Sequence, residues 1–126
     1  MNSLRNELQQ LIAHFSLKEH YAQAALAQLH QRYRQEQENK DKLQLLINGL
    51  EQQIHDFECR GLLSYTALHE LRRKQAIYRK QILDVRVRVD ELSLQLVQIS
   101  DDIDKSNKEI NILKKKIIKF EQYSEQ

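Results

Sequence analysis

A chain of 126 residues with no proline, no tryptophan and only two glycines, Gly49 and Gly61, suits long helices rather than a layered globular core. Its 20 basic and 18 acidic side chains leave a net charge of +2, too even a balance for nucleic-acid binding as the main task. The single cysteine, Cys59, excludes an internal disulfide and fits a reducing compartment.

Helix 1 is predicted over about residues 3–57. Its apolar repeat begins at Leu4, Leu8, Leu11 and Phe15 and continues through Ala22, Ala25, Leu29 and Tyr33. The two successive steps of four from Ala25 to Tyr33 read as a stutter that locally relaxes a supercoil. Residues 34–42 are wholly polar but hold no Gly, Pro or Ser, so the helix is expected to continue there with a loosened seam. Glu36 and Lys40, spaced i and i+4, support a solvated helix in that stretch. The repeat resumes at Leu43, Ile47, Leu50, Ile54 and Phe57. Gly49 costs a helix interior only about 1 kcal/mol, so a continuous helix is preferred over an early end at Asn48-Gly49.

A turn is expected over about residues 58–64, where Gly61 suits a left-handed helix end and Ser64 an N-cap. Lying near mid-chain, it implies an all-α antiparallel two-helix coiled-coil hairpin, a single unit with arms of about 80 Å each and both termini at one end.

Helix 2 is predicted over about residues 65–122 and carries the clearest pattern in the chain. Alternating steps of three and four join Leu68, Leu71, Gln75, Tyr78, Ile82, Val85, Val89, Leu92, Leu96, Ile99, Ile103, Ser106, Ile110, Leu113, Ile117 and Phe120. Only Gln75 and Ser106 among them are polar, and so long a 3.5-residue period requires a partner helix. The strand-like alternation Val85-Arg86-Val87-Arg88-Val89 is overridden by the heptad on both sides.

Catalytic patterns are absent: no phosphate-binding glycine loop, no nucleophile elbow, no zinc-protease helix. No active site, cofactor or metal is expected. His14, His20, His30, His55 and His69 are widely spread; His55 and Cys59 at i and i+4 offer half a zinc site, with His69 able to approach across the turn. Asp101, Asp102 and Asp104 read as a solvated face around Ile103. The first seven residues contain no apolar signal core, and no stretch approaches the roughly 20 apolar residues of a membrane span, so a soluble cytoplasmic protein is expected.

Two basic clusters stand out. Arg72, Arg73, Lys74, Arg79, Lys80, Arg86 and Arg88 wrap around helix 2, which leaves open a solvated surface, an acidic protein partner, or RNA or lipid. Lys114, Lys115, Lys116 and Lys119, with Arg5 joining from helix 1, complement the helix 2 dipole or form a docking patch. Tyr65 at the turn and Tyr123 near the C-terminus are candidate partner contacts.

The run Leu71-Arg72-Arg73-Lys74-Gln75-Ala76-Ile77-Tyr78-Arg79-Lys80-Gln81-Ile82 resembles the start of the second helix in the SpaM/InvI proteins of bacterial type III secretion systems. Gly49-Leu50 and the helix start at Leu63-Ser64 are similar to that family's pattern at comparable spacing, and the likeness extends over about residues 43–119, beyond which longer relatives continue. The resemblance implies the wider YscO/FliJ group, small cytoplasmic hairpins that act as the central stalk of a hexameric export ATPase, similar to the γ subunit of rotary ATPases. It implies that the paired termini, Leu4 to Leu11 and Leu113 to Tyr123, enter the ATPase pore, with Arg5, Lys114, Lys115, Lys116, Lys119 and Tyr123 as candidate contacts. The opposite end, with Tyr65, Arg72, Arg73, Lys74, Arg79 and Lys80, would meet the export gate protein or secretion chaperones. The place implied is the bacterial cytoplasm, peripheral to the inner-membrane export apparatus, with no nucleic-acid partner and no stable membrane insertion. The alternatives are a generic coiled-coil adaptor or chaperone escort and, further off, a small nucleic-acid-binding helical protein.

Overall fold

The computed structural model describes residues 2–58, 61 and 64–125. Helix α1 spans Asn2–Glu58 and helix α2 spans Tyr65–Glu125, 57 and 61 residues respectively, and no strand occurs among the described residues. The composition explains the length: without proline, nothing removes a backbone donor or clashes with the preceding turn. Short polar pairs one turn apart support the exposed faces, with Gln37 donating to Asp41 at 3.1 Å, Gln44 to Asn48 at 3.2 Å, Gln52 to Asp56 at 2.9 Å and Gln98 to Asp102 at 3.1 Å. The start of α2 is capped as the sequence predicts. The Ala67 amide donates to Ser64 Oγ at 3.2 Å, and the Leu68 amide donates to the Ser64 carbonyl at 2.9 Å. Gly61 has no positive φ, so the left-handed helix end expected there is not adopted. Cys59, Arg60, Leu62 and Leu63 lie outside the described residues, and with Cys59 the His55–Cys59 pair.

The chain divides into two compact units, a terminal unit of Met1–Arg34 with Gln98–Gln126 and a middle unit of Gln35–Val97. In each, a segment of α1 pairs antiparallel with a segment of α2. In the terminal unit Phe15 stacks on Phe120, ring centroids 5.6 Å apart and planes within 7°, and Lys114 Nζ lies 3.9 Å from Glu19 Oε1. In the middle unit Phe57 stacks on Tyr78 at 5.8 Å beside a cluster of Ile47, Leu50, Ile54, Ile82 and Val89, which Leu43 and Val85 join at its edge. Rising numbers on one helix meet falling numbers on the other in both units, the mark of an all-α antiparallel hairpin fold.

The α2 heptad is the seam. Fifteen of its sixteen positions are buried or half-buried, and only Leu68, at 36% exposure, sits on the surface. Gln75 is buried as well, yet no buried side-chain polar atom lacks a partner among the described residues.

Helix α1 departs from its expected register at several points. Leu4 and Leu11 are exposed at 61% and 40%, and the neighbouring Ile12 takes the seam position instead of Leu11. Leu26, not Ala25, is half-buried, so the steps run Ala22, Leu26, Leu29, Tyr33 with no stutter. The polar run is not a solvated interruption either: Glu36 and Lys40 are half-buried at seam positions, completing the repeat to Leu43. The register given by the Phe57–Tyr78 stack and the Glu51–Arg86 pair brings Lys40 level with residues 95–97 of α2, of which the seam residue Leu96 is only 6% exposed. The aliphatic stem of lysine can cover such a neighbour while its ammonium reaches water. Gly49 sits inside continuous α1 with no positive φ.

Burial is uneven between the helices. The buried apolar residues of α1 are Ile47, Leu50 and Ile54, all in the middle unit, while α2 contributes Ile82, Val89, Leu92 and Leu96 there and Ile99, Ile110, Leu113 and Ile117 in the terminal unit. The terminal unit therefore rests on deep side chains from α2 alone. Its α1 seam residues, such as Ile12, Ala22, Leu26 and Leu29, are only half-buried, which gives this unit the lower local stability.

Candidate partner-docking surfaces

The middle unit carries the first basic cluster. Arg79 and Arg86 stand seven residues apart on the flank of the α2 seam, and Glu58 and Glu51 stand seven apart on the matching flank of α1. The antiparallel register brings them together: Arg86 Nη2 lies 2.6 Å from Glu51 Oε1 and Arg79 Nη2 lies 3.7 Å from Glu58 Oε1. Arg88 is also engaged, at 3.2 Å from Glu91 on its own helix. Arg72 is one heptad before Arg79, but the sequence holds no carboxylate between Glu58 and the start of α2 at Tyr65 that could continue the facing series. Arg72, Arg73, Lys74 and Lys80 are exposed and make no ion pair among the described residues. Tyr65, in the first turn of α2, is 88% exposed.

The pairing divides the predicted cluster by task. Arg79 and Arg86 hold helix to helix, though exposed pairs of this kind contribute only about 0–1 kcal/mol each. Arg72, Arg73, Lys74 and Lys80 present uncompensated positive charge to the outside.

The terminal unit repeats this division. Lys114 approaches Glu19, and Lys116 Nζ lies 5.3 Å from the centre of the Phe15 ring, a cation–π contact beside the Phe15–Phe120 stack. Arg5, Lys115 and Lys119 are exposed and unpaired among the described residues, and Tyr123 is 52% exposed. Phe120 is half-buried in the seam as its heptad position requires. Asp102 accepts from Gln98, and no group of His, Cys, Asp and Glu able to hold a metal occurs among the described residues.

One set of surface residues has no counterpart in the sequence reading. Ile77, Leu83, Val87, Leu94 and Val97 point away from the α2 seam, between 48% and 73% exposed. Leu83, Val87, Leu94 and Val97 follow steps of four, seven and three, which is itself a helical-face spacing. That second periodicity is visible in the sequence once the first is set aside. A shallow groove of about 350 Å³ opens beside it, floored by Ile54 and Ile82 and edged by Leu83, Arg79, Arg86 and Glu51.

No helix among the described residues is long and apolar enough to cross a membrane. No curated protein and no solved structure matches the chain. The model of one family does, that of the Salmonella surface presentation of antigen gene type M protein, over residues 6–126. That match takes in nearly all of both helices and, apart from Arg5, both basic clusters, and agrees with the resemblance carried by the Leu71 to Ile82 run. The chain therefore belongs to the surface presentation of antigen M family of type III secretion proteins.

Proposed function

We propose that this chain is the central stalk or linker of a type III export apparatus, engaging the hexameric export ATPase through its paired termini and the export gate protein through the region around the α2 start. The observation that supports this best is the presence of two separate unpaired cationic clusters, Arg5 with Lys115 and Lys119 in the terminal unit and Arg72, Arg73, Lys74 and Lys80 in the middle unit. In this reading the chain catalyses nothing and takes no cofactor. It acts by differential contact: a surface that binds one arrangement of ATPase subunits more tightly than another shifts their equilibrium by that difference. Its place would be the bacterial cytoplasm, against the inner-membrane export apparatus, without stable membrane insertion and without a nucleic-acid partner.

A second reading, an adaptor or escort for secretion chaperones, draws on the exposed Leu83, Val87, Leu94 and Val97. The two readings separate in one titration. Purified chain is added to the export ATPase, and both binding and ATP turnover are followed, for the native sequence and for Lys115→Glu with Lys119→Glu. A stalk changes turnover saturably, and the double variant weakens it. An escort leaves turnover unchanged and binds a chaperone instead.

A further inference from the structure

The groove edged by Leu83 lies in the cation-rich part of the middle unit, where Arg79 and Arg86 line it, and the combination specifies a ligand chemistry. Ile54 and Ile82 form its apolar floor, at 9% and 5% exposure, so their packing holds the floor in place. Two ion pairs border it, Arg86 with Glu51 at 2.6 Å and Arg79 with Glu58 at 3.7 Å. Arg79 meets its carboxylate only loosely, and its guanidinium has five donors, so most remain for another acceptor.

On the outer side of α2, Arg73, Ile77, Lys80, Leu83 and Val87 succeed one another at three- and four-residue steps, interspersing two cations with three apolar side chains. Ile77, Leu83 and Val87 are 48%, 61% and 58% exposed. From Arg72 to Val87 the only carboxylate on α2 is Asp84. A partner matching this face carries a bulky apolar side chain for the groove and carboxylates on either side of it.

We infer that the groove over Ile54 and Ile82, with Leu83, Arg79 and Arg86 at its edge and the exposed Arg73 and Lys80 preceding Leu83 on α2, docks an acidic amphipathic helix that inserts one large apolar side chain. The inference rests on the reading of this region as a partner-docking end and adds the chemistry of the partner. A second copy of this chain does not meet that description. Its own exposed apolar stripe carries Asp90 at the centre, so self-pairing about that point sets like charges together, and its Lys-rich segments repel the cations of the groove.

The test uses the full chain and three synthetic helical peptides of equal length. One carries leucine on one face flanked by glutamates, the second replaces leucine by serine, and the third replaces glutamate by lysine. The first should bind saturably and lose affinity as salt rises, with the other two at least about tenfold weaker. Leu83→Asp, and separately Arg73→Glu with Lys80→Glu, should each weaken the first peptide by about tenfold or more, with helix content by circular dichroism unchanged. Ile112→Asp, on the outer face of the terminal unit, should leave binding as it was. Equal binding of the glutamate and lysine peptides, or binding that survives Leu83→Asp, overturns the inference. If no peptide binds while the native chain still alters ATPase turnover, the docking chemistry is wrong and the stalk reading stands. If neither effect occurs, both fall.

Discussion

Leu92 and Leu94 lie two residues apart on α2, with the first 1% exposed in the seam and the second 73% exposed on the outer face. Truncating each to alanine removes the same atoms from opposite environments. Burying a leucine side chain is worth roughly 1.5–3 kcal/mol, and a residual cavity adds to the loss, so a buried Leu→Ala change costs about 2–5 kcal/mol in a closed core. A two-helix seam is open at its flanks and can partly collapse, which places Leu92→Ala near the low end, about 2–3 kcal/mol. Leu94 keeps about a quarter of its surface covered, worth roughly 0.5 kcal/mol, and alanine recovers part of that through its higher helix propensity. Leu94→Ala should therefore be neutral within about 0.5 kcal/mol. Urea unfolding followed by circular dichroism at constant slope measures both, the difference appearing as a shift in midpoint. Equal costs for the two changes, or a larger cost for Leu94→Ala, would refute the assignment of the 3.5-residue stripe as the structural seam.

Three further substitutions test local features. Gly49→Ala should stabilise by about 0.5–1 kcal/mol in the same assay, because Gly49 is helical and an added Cβ meets nothing within 4 Å; a loss would show a strained backbone there. Lys40→Leu places an apolar side chain level with the seam residue Leu96 and should raise stability by about 1 kcal/mol, whereas Lys42→Leu, on the exposed face, should not; the reverse order would restore a solvated polar run. Ser64→Ala removes the cap on the Ala67 amide and should cost about 1 kcal/mol, with fraying at the start of α2 visible as faster amide exchange over its first turn.

Helix α2 was legible because each seam position from Ile82 to Ile103 carries a branched or long aliphatic residue whose neighbours in the register are mostly polar. Helix α1 was less so. Leu11 and Ile12, and again Ala25 and Leu26, are adjacent apolar residues, so hydropathy alone offers two registers, and only the facing stripe of α2 decides between them. Glu36 and Lys40 read as a solvated pair, and take seam positions instead, for a different reason: a coiled-coil position is defined by the helix opposite, and long side chains can fill it by their stems. The basic clusters were visible as charge, but not their division into bridging and free members. That division follows from the matching seven-residue spacings of Arg79 with Arg86 and of Glu58 with Glu51, together with the lack of a further carboxylate between Glu58 and Tyr65. The outer apolar face was hidden behind the stronger heptad, since a search for one period discards residues that obey another.

The central claim, a stalk for the export ATPase, is tested most directly by the stoichiometry of the complex. The export ATPase, assembled as a hexamer in the presence of a non-hydrolysable nucleotide, is mixed with an excess of this chain and its mass determined in native conditions. A stalk in the pore predicts one chain per six ATPase subunits, and loss of that species for Lys115→Glu with Lys119→Glu. Six chains per hexamer, or none, would contradict it.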